Sequence, residues 1–174
     1  LLPIIPRSIT PNQLTFVRLI FSPVLIIGLV LGEYKICLPL FIILALTDMF
    51  DGSLARLRNQ ETDWGKIWDP IADKLLIGSV LVVLLLKINI GLTIFILAFE
   101  AAFIIGGTVK KITAQNILLQ ANTWGKIKMN IQGLGAGLLI LGFFAGFGQL
   151  IDFAQIILYI SLFFAAMSLM RQGI

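Results

Sequence analysis

The sequence predicts an all-α membrane protein of six transmembrane helices, with both termini cytoplasmic. Two observations predict the class. Six apolar segments run roughly over 14–32, 36–50, 71–86, 88–109, 127–147 and 150–170, against the ~20 apolar residues that cross a bilayer. The chain is also 59% hydrophobic and only 13% charged, a balance rare in soluble domains. A third observation sets the orientation. Six spans place the N-terminus, the second and fourth connections and the C-terminus on one side, with 11 of the 13 basic residues; only Lys35 and Lys87 fall on the other. The basic side is cytoplasmic by the positive-inside rule.

Helix is the economical form for each segment, because backbone exposed to lipid must satisfy its own hydrogen bonds. In the first, Asn12 is placed to cap the helix and Arg18 to snorkel, although both could touch a phosphate. The second segment is short for a span and is expected to continue as helix through Asp51 and Ala55. Pro70 fits best in a first helical turn, so the third helix is expected to start near Asp69, with Gly65 in the approach. The fourth carries Glu100, an acid in an apolar run that faces a site cavity or hydrogen-bonds a neighbouring helix. In the fifth, Gly133-x3-Gly137 and Gly142-x3-Gly146 have the spacing that lets membrane helices approach closely, within the chain or across a dimer seam. A tight turn near Gly148 leads to the sixth. Trp64, Trp68 and Trp124 are expected at the membrane interface.

Residues 1–174 are expected to form one domain, without low-complexity stretches or a convincing repeat. Residues 1–11 lack the n-region and small-residue cleavage site of a signal peptide. The sequence has no histidine, which excludes His-based catalysis and His metal sites. Its single cysteine, Cys37, allows no intramolecular disulfide and reads as a small apolar residue. No nucleic-acid partner is expected.

The acids are the informative residues. Six of the nine lie between Leu46 and Leu76. Asp48, Asp51, Gly52, Ala55 and Arg56 fall at i, i+3, i+4, i+7 and i+8, one helical face. Asp69 and Asp73 project together from the next helix. Two such faces packed together gather four carboxylates, whose repulsion needs a cation. Arg56 and Lys74 are too few and too peripheral, so a divalent ion or a pair of ions is the natural compensation. Oxygen-only ligation favours Mg²⁺ or Mn²⁺, and Ca²⁺ also fits. Gly52 and Ala55 leave clearance beside the carboxylates, and Arg56 can hold a phosphate bidentately. The alternative, solvated loop acids, suits Glu61 and Asp63. Ionisable residues on ordered faces at a membrane boundary are functional by default. The pattern describes a metal–diphosphate site at the cytoplasmic membrane surface.

The pattern Asp48-x2-Asp51-Gly52-x2-Ala55-Arg56-x8-Gly65-x3-Asp69-x3-Asp73 resembles the signature of the CDP-alcohol phosphatidyltransferase family at all eight defined positions. The resemblance implies a homodimeric integral membrane enzyme, in the plasma (cytoplasmic) membrane, that displaces CMP from a CDP-linked lipid, usually CDP-diacylglycerol, with a polar alcohol. It implies that Asp48, Asp51, Asp69 and Asp73 ligate two metal ions, Mg²⁺ or Mn²⁺. It further implies that Asp73 is the general base, and that Gly52, Ala55, Arg56 and Gly65 accommodate the CDP-lipid. "DPIADK" (69–74), "PNQLTFVR" (11–18) and "GKIKMNIQ" (125–132) look most like the phosphatidylglycerophosphate synthase branch, which implies glycerol 3-phosphate as acceptor. Those synthases commonly carry Arg-Glu in helix 4, where this chain has Phe99-Glu100. Lys126 and Lys128 are either ligands of the acceptor phosphate or positive-inside anchors; Lys110 and Lys111 read as anchors. Other acceptors in the family are inositol phosphate, serine and phosphatidylglycerol. Outside it, a cation transporter would require polar residues continuing across the membrane, and a scaffold would have no reason to carry all eight positions.

Overall fold

The computed structural model describes residues 10–58, 62–113 and 123–172, with side chains except at 49–58, 63, 66, 107–113 and 172. The described residues form six α-helices and no strand: α1 (Pro11–Leu31), α2 (Tyr34–Arg58), α3 (Asp63–Leu85), α4 (Ile90–Thr113), α5 (Thr123–Ala145) and α6 (Gly148–Gln172). Three of them, α1, α5 and α6, are long and apolar enough to cross a membrane. A shorter apolar stretch fills Ile90–Gly106 of α4.

Helix α1 shows why the chain folds as it does. Its buried residues are Pro11, Thr15, Arg18, Ser22, Leu25 and Leu29, a face of alternating four- and three-residue steps. The opposite face exposes Phe16, Ile20, Val24, Ile27 and Leu31. Polar groups inside and large apolar side chains outside invert the pattern of a soluble helix. This is the pattern of a helix in lipid, where apolar side chains need no shelter and buried polar groups must find partners. Arg18 is fully buried and hydrogen-bonded to acids; it does not snorkel as its sequence position suggests.

Several boundaries differ from expectation. Thr10, not Asn12, is the N-cap of α1, and the Gln13 side chain accepts from the Thr10 N–H at 2.9 Å. Asn12 turns instead to α3, where its Oδ1 accepts from the Thr62 hydroxyl at 2.9 Å. Helix α3 starts two turns before Asp69. Thr62 caps it, accepting from the Gly65 N–H at 3.0 Å, which places Gly65 inside the first turn and Pro70 inside the helix. The cap supplies the start signal, and Pro70, the eighth residue of the helix, removes one backbone hydrogen bond from its interior.

The core is built where α1, α2, α3 and α5 meet, from Leu25, Leu29, Leu44, Leu76, Leu84 and Leu139, each nearly inaccessible. Cys37 belongs to it. Helices α5 and α6 form the most extensive pair, and the glycines explain how. A Cβ on Gly135 would lie 2.6 Å from Leu158 Cδ2, and one on Gly142 would lie 2.7 Å from Ile151 Cγ1. Gly133 faces Ile77 of α3 and Gly137 faces Phe41 of α2. The close approaches are therefore contacts within the chain. Gly146 does not pack: at φ 69° it turns the chain between α5 and α6, a conformation that costs glycine nothing. Trp64 and Trp68 stack on each other while remaining partly exposed, as interfacial residues do. Trp124 packs on Phe164.

Candidate active site

Three of the four sequence-predicted acids converge on Arg18. Its Nη1 donates to Oδ1 of Asp48 on α2 and to Oδ1 of Asp73 on α3. Its Nη2 lies 4.0 Å from Asp69 Oδ1. The Thr15 hydroxyl, one turn before Arg18, donates to that same Asp69 oxygen. Helix α1 thus presents a hydroxyl and a guanidinium at i and i+3 to carboxylates from two other helices. The Arg18 side chain is fully buried, whereas Asp73, Asp69 and Asp48 are 17%, 37% and 42% exposed. The carboxylates form the open surface of the cluster and the guanidinium its floor.

The expected repulsion among the acids is met here by Arg18, a cation that sequence reasoning assigned to snorkelling. The signal was in α1: Thr15, Arg18 and Ser22 share one face of an otherwise apolar helix. Asp51, Gly52, Ala55 and Arg56 lie on the last turns of α2, beyond Asp48, but their side chains are outside the described residues, as are those of Lys110, Lys111, Glu61 and Asp63. Gly65 is buried against the cluster. A Cβ there would lie 3.2 Å from both Asn12 Oδ1 and Thr62 Oγ1 and 3.5 Å from Asp69 Oδ2, so a side chain would press on the Asn12–Thr62 contact and come into ordinary contact with Asp69.

A cavity of about 450 Å³ adjoins the cluster between α3, α4 and α5. Asp73, Lys74, Glu100, Lys128 and Gln132 line its polar part, and Ile77, Leu81, Val82 and Ile96 its apolar depth. Lys128 and Gln132 are one turn apart and both buried. Lys126 is exposed, because residues two apart do not share a helical face. The pair read together from the sequence is therefore split, and only Lys128 reaches the cavity. Glu100 does both things its position allowed: it lines the cavity and pairs with Lys128 of the neighbouring helix.

Oxygen donors alone make up the acidic set, which suits a hard divalent cation. Its members already gather about one positive charge, so the residues fit such an ion in charge and donor type. Among the described residues, no three acids stand together as a ready ligand group.

Three acids gathered on Arg18 within a helical bundle, beside a cavity lined by Lys74 and Lys128, mark this end of the molecule as the candidate site. The chain belongs to the CDP-alcohol phosphatidyltransferase family, whose family model matches residues 8–167, and is an enzyme of that class. Metal dependence is typical of the family. The chain is 35% identical over 135 residues to a CDP-diacylglycerol–glycerol-3-phosphate 3-phosphatidyltransferase of Rickettsia felis, covering 76% of this chain and 75% of that one. It is 29% identical over 173 residues to the Bacillus subtilis protein of the same name, covering 91% and 90%. It is 34% identical over 139 residues to a probable phosphatidylglycerophosphate synthase of Mycobacterium tuberculosis, covering 75% and 65%.

Proposed function

We propose that this protein transfers the phosphatidyl group of CDP-diacylglycerol to glycerol 3-phosphate and releases CMP. The names of the similar proteins support the substrate pair. The observation that carries the reading is the position of Asp73. One of its oxygens is held by Arg18 in the acidic cluster, and the same residue lines the cavity that holds Lys128. A carboxylate between a diphosphate site and an acceptor site is where a general base belongs.

The acceptor enters the cavity, with its phosphate on Lys128 and its hydroxyl towards Asp73. The hydroxyl oxygen attacks the phosphatidyl phosphorus, and its proton passes to Asp73. The bond from that phosphorus to the CMP oxygen breaks, and CMP leaves with the electron pair. Arg18 and Thr15 keep the aspartates oriented throughout. Asp48, Asp51, Asp69 and Asp73 would hold the divalent ions, which when bound neutralise the diphosphate and favour the leaving group. Gly52, Ala55 and Arg56, one to two turns beyond Asp48, are proposed to receive the cytidine nucleotide, with Gly65 keeping space beside Asp69.

The reading includes a single domain of six spans with both termini and the site on the cytoplasmic face of the plasma membrane. It also includes a homodimer. The exposed apolar stripe of α1 supports immersion in lipid, and the distribution of Lys and Arg supports the orientation. The test is an acceptor screen with purified protein, CDP-diacylglycerol and Mg²⁺ or Mn²⁺. Phosphatidylglycerophosphate is the expected product. Turnover with inositol phosphate, serine or phosphatidylglycerol but not glycerol 3-phosphate would overturn the acceptor assignment.

A further inference from the structure

Glu100 lies at the centre of a cluster of which the chemistry above uses only Lys128. Its Oε1 accepts from the Lys128 ammonium of α5. Its Oε2 lies 3.9 Å from the Lys74 ammonium of α3. Phe103, one turn further along α4, places its ring under the same Lys128 ammonium, 4.6 Å from the ring centroid. Glu100 and Phe103 thus clamp Lys128 from one helix. The Lys128 side chain is only 8% exposed, whereas Glu100 is 22% and Lys74 47% exposed.

The clamp matters because of where Lys128 sits. It is the sixth residue of α5, so its Cα lies about 7.5 Å from the helix start. Helical side chains lean towards the N-terminus, and a lysine stem is long enough to carry its ammonium out to water. Without a buried counter-charge the ammonium would leave the cavity, since an unpaired charge in an apolar wall is costly. Glu100 removes that tendency. One carboxylate against two ammonium groups also leaves a single net positive charge at this end of the cavity, while the Asp73 carboxylate that lines it too is paired with Arg18. Such a surface attracts an anion, and each ammonium has further donors to offer it.

We infer that Glu100 is a positioning residue for a phosphate-bearing acceptor, holding Lys128 and Lys74 at the end of the cavity beside Asp73. The inference rests on reading this cavity as the acceptor site. Glu100 touches neither reacting atom; it acts through the two lysines, and chiefly through the buried one.

The experiment is steady-state kinetics of the purified protein in mixed micelles, varying glycerol 3-phosphate and CDP-diacylglycerol separately. Glu100→Gln should raise KM for glycerol 3-phosphate about 10–100-fold, the range seen when a residue that orients a metal ligand is lost, taken here for a residue that orients a phosphate ligand. KM for CDP-diacylglycerol should change less than about twofold, because only the acceptor meets Lys128. Glu100→Asp, which keeps the charge on a shorter stem, should fall between Gln and wild type. Lys128→Met should raise the acceptor KM as well, and the double variant should be only slightly worse than Lys128→Met alone, because Glu100 acts chiefly through Lys128 and only secondarily through Lys74. An unchanged acceptor KM in Glu100→Gln would overturn the inference. So would additive effects in the double variant, or parallel rises in both KM values with a lowered melting temperature, which mark a merely structural role. Failure of the underlying reading is separately visible: wild-type protein would then form no product with glycerol 3-phosphate, or Lys128→Met would leave its KM unchanged.

Discussion

Replacing Arg18 with methionine keeps most of the side-chain volume and removes the only described cation at the floor of the acidic cluster. Two carboxylates lose hydrogen bonds from Nη1, and a third loses a charge 4.0 Å away. Breaking a buried ion pair by deleting one partner costs about 3–5 kcal/mol. The cluster belongs at the low end of that range. Asp48 and Asp69 are 42% and 37% exposed and can recover water, while Asp73 at 17% recovers little. A loss of about 3 kcal/mol corresponds to roughly 6–12 °C in melting temperature for a chain of this size. The assay is thermal unfolding of the detergent-purified variant in EDTA, so that bound cations do not mask the loss. Arg18→Lys should recover only part of it, since one ammonium cannot serve as a planar fork. Adding Asp73→Asn to Arg18→Met should be less damaging than the two separate costs combined, because the second change removes a charge left uncompensated by the first. If Arg18→Met melts within about 1 °C of wild type, well under what 1 kcal/mol produces, the guanidinium does not hold the cluster together and the account of the site's floor is wrong.

Chelation by EDTA should abolish turnover, and Mg²⁺ or Mn²⁺ should restore it; full activity in metal-free buffer would sink the metal-assisted reading. Asp73→Asn should lower kcat about 10²–10⁴-fold, the usual contribution of a general base, while equilibrium binding of CDP-diacylglycerol is largely kept; near-wild-type turnover would remove Asp73 from that role. Gly135→Ala should destabilise the detergent-purified protein by about 1–3 kcal/mol through overpacking, because its Cβ would meet the fully buried Leu158 at 2.6 Å. Gly78→Ala, where a Cβ would meet nothing within 4 Å, should instead gain up to about 1 kcal/mol of helix propensity; equal melting shifts for the two would refute the packing argument. Ala55→Leu should block the ligand-induced rise in melting temperature with CDP-diacylglycerol while leaving the ligand-free melt unchanged. A destabilised variant that still responds to the ligand would move the nucleotide off α2.

How much was legible in the sequence follows from the range of each signal. Apolar runs and helical spacing are local, so the all-α class and the positions of the helices could be read directly. The shared face of Asp69 and Asp73 was legible for the same reason, since a 3.6-residue period needs no neighbour to define it. The acids at Asp48, Asp69 and Asp73 stand out because carboxylates are rare and costly in such a chain. What the sequence could not determine was which helix lies beside which. Arg18 looked like a snorkelling residue when α1 was considered alone; it became the floor of the acidic cluster only when α1 packed against α2 and α3. Lys126 and Lys128 were equivalent as basic residues near a membrane surface, until the rotation of α5 buried one against Glu100 and left the other exposed. The start of α3 depended on a cap and on the contact of Thr62 with Asn12, 50 residues away. The glycines of α5 were legible as close-approach positions, but their partners, Ile77, Phe41 and Ile151, come from three other helices. Residue type and period are properties of a segment. The partner of a buried charge, or of a missing side chain, is a property of the packed bundle, because only packing decides which surfaces are shielded from lipid and water.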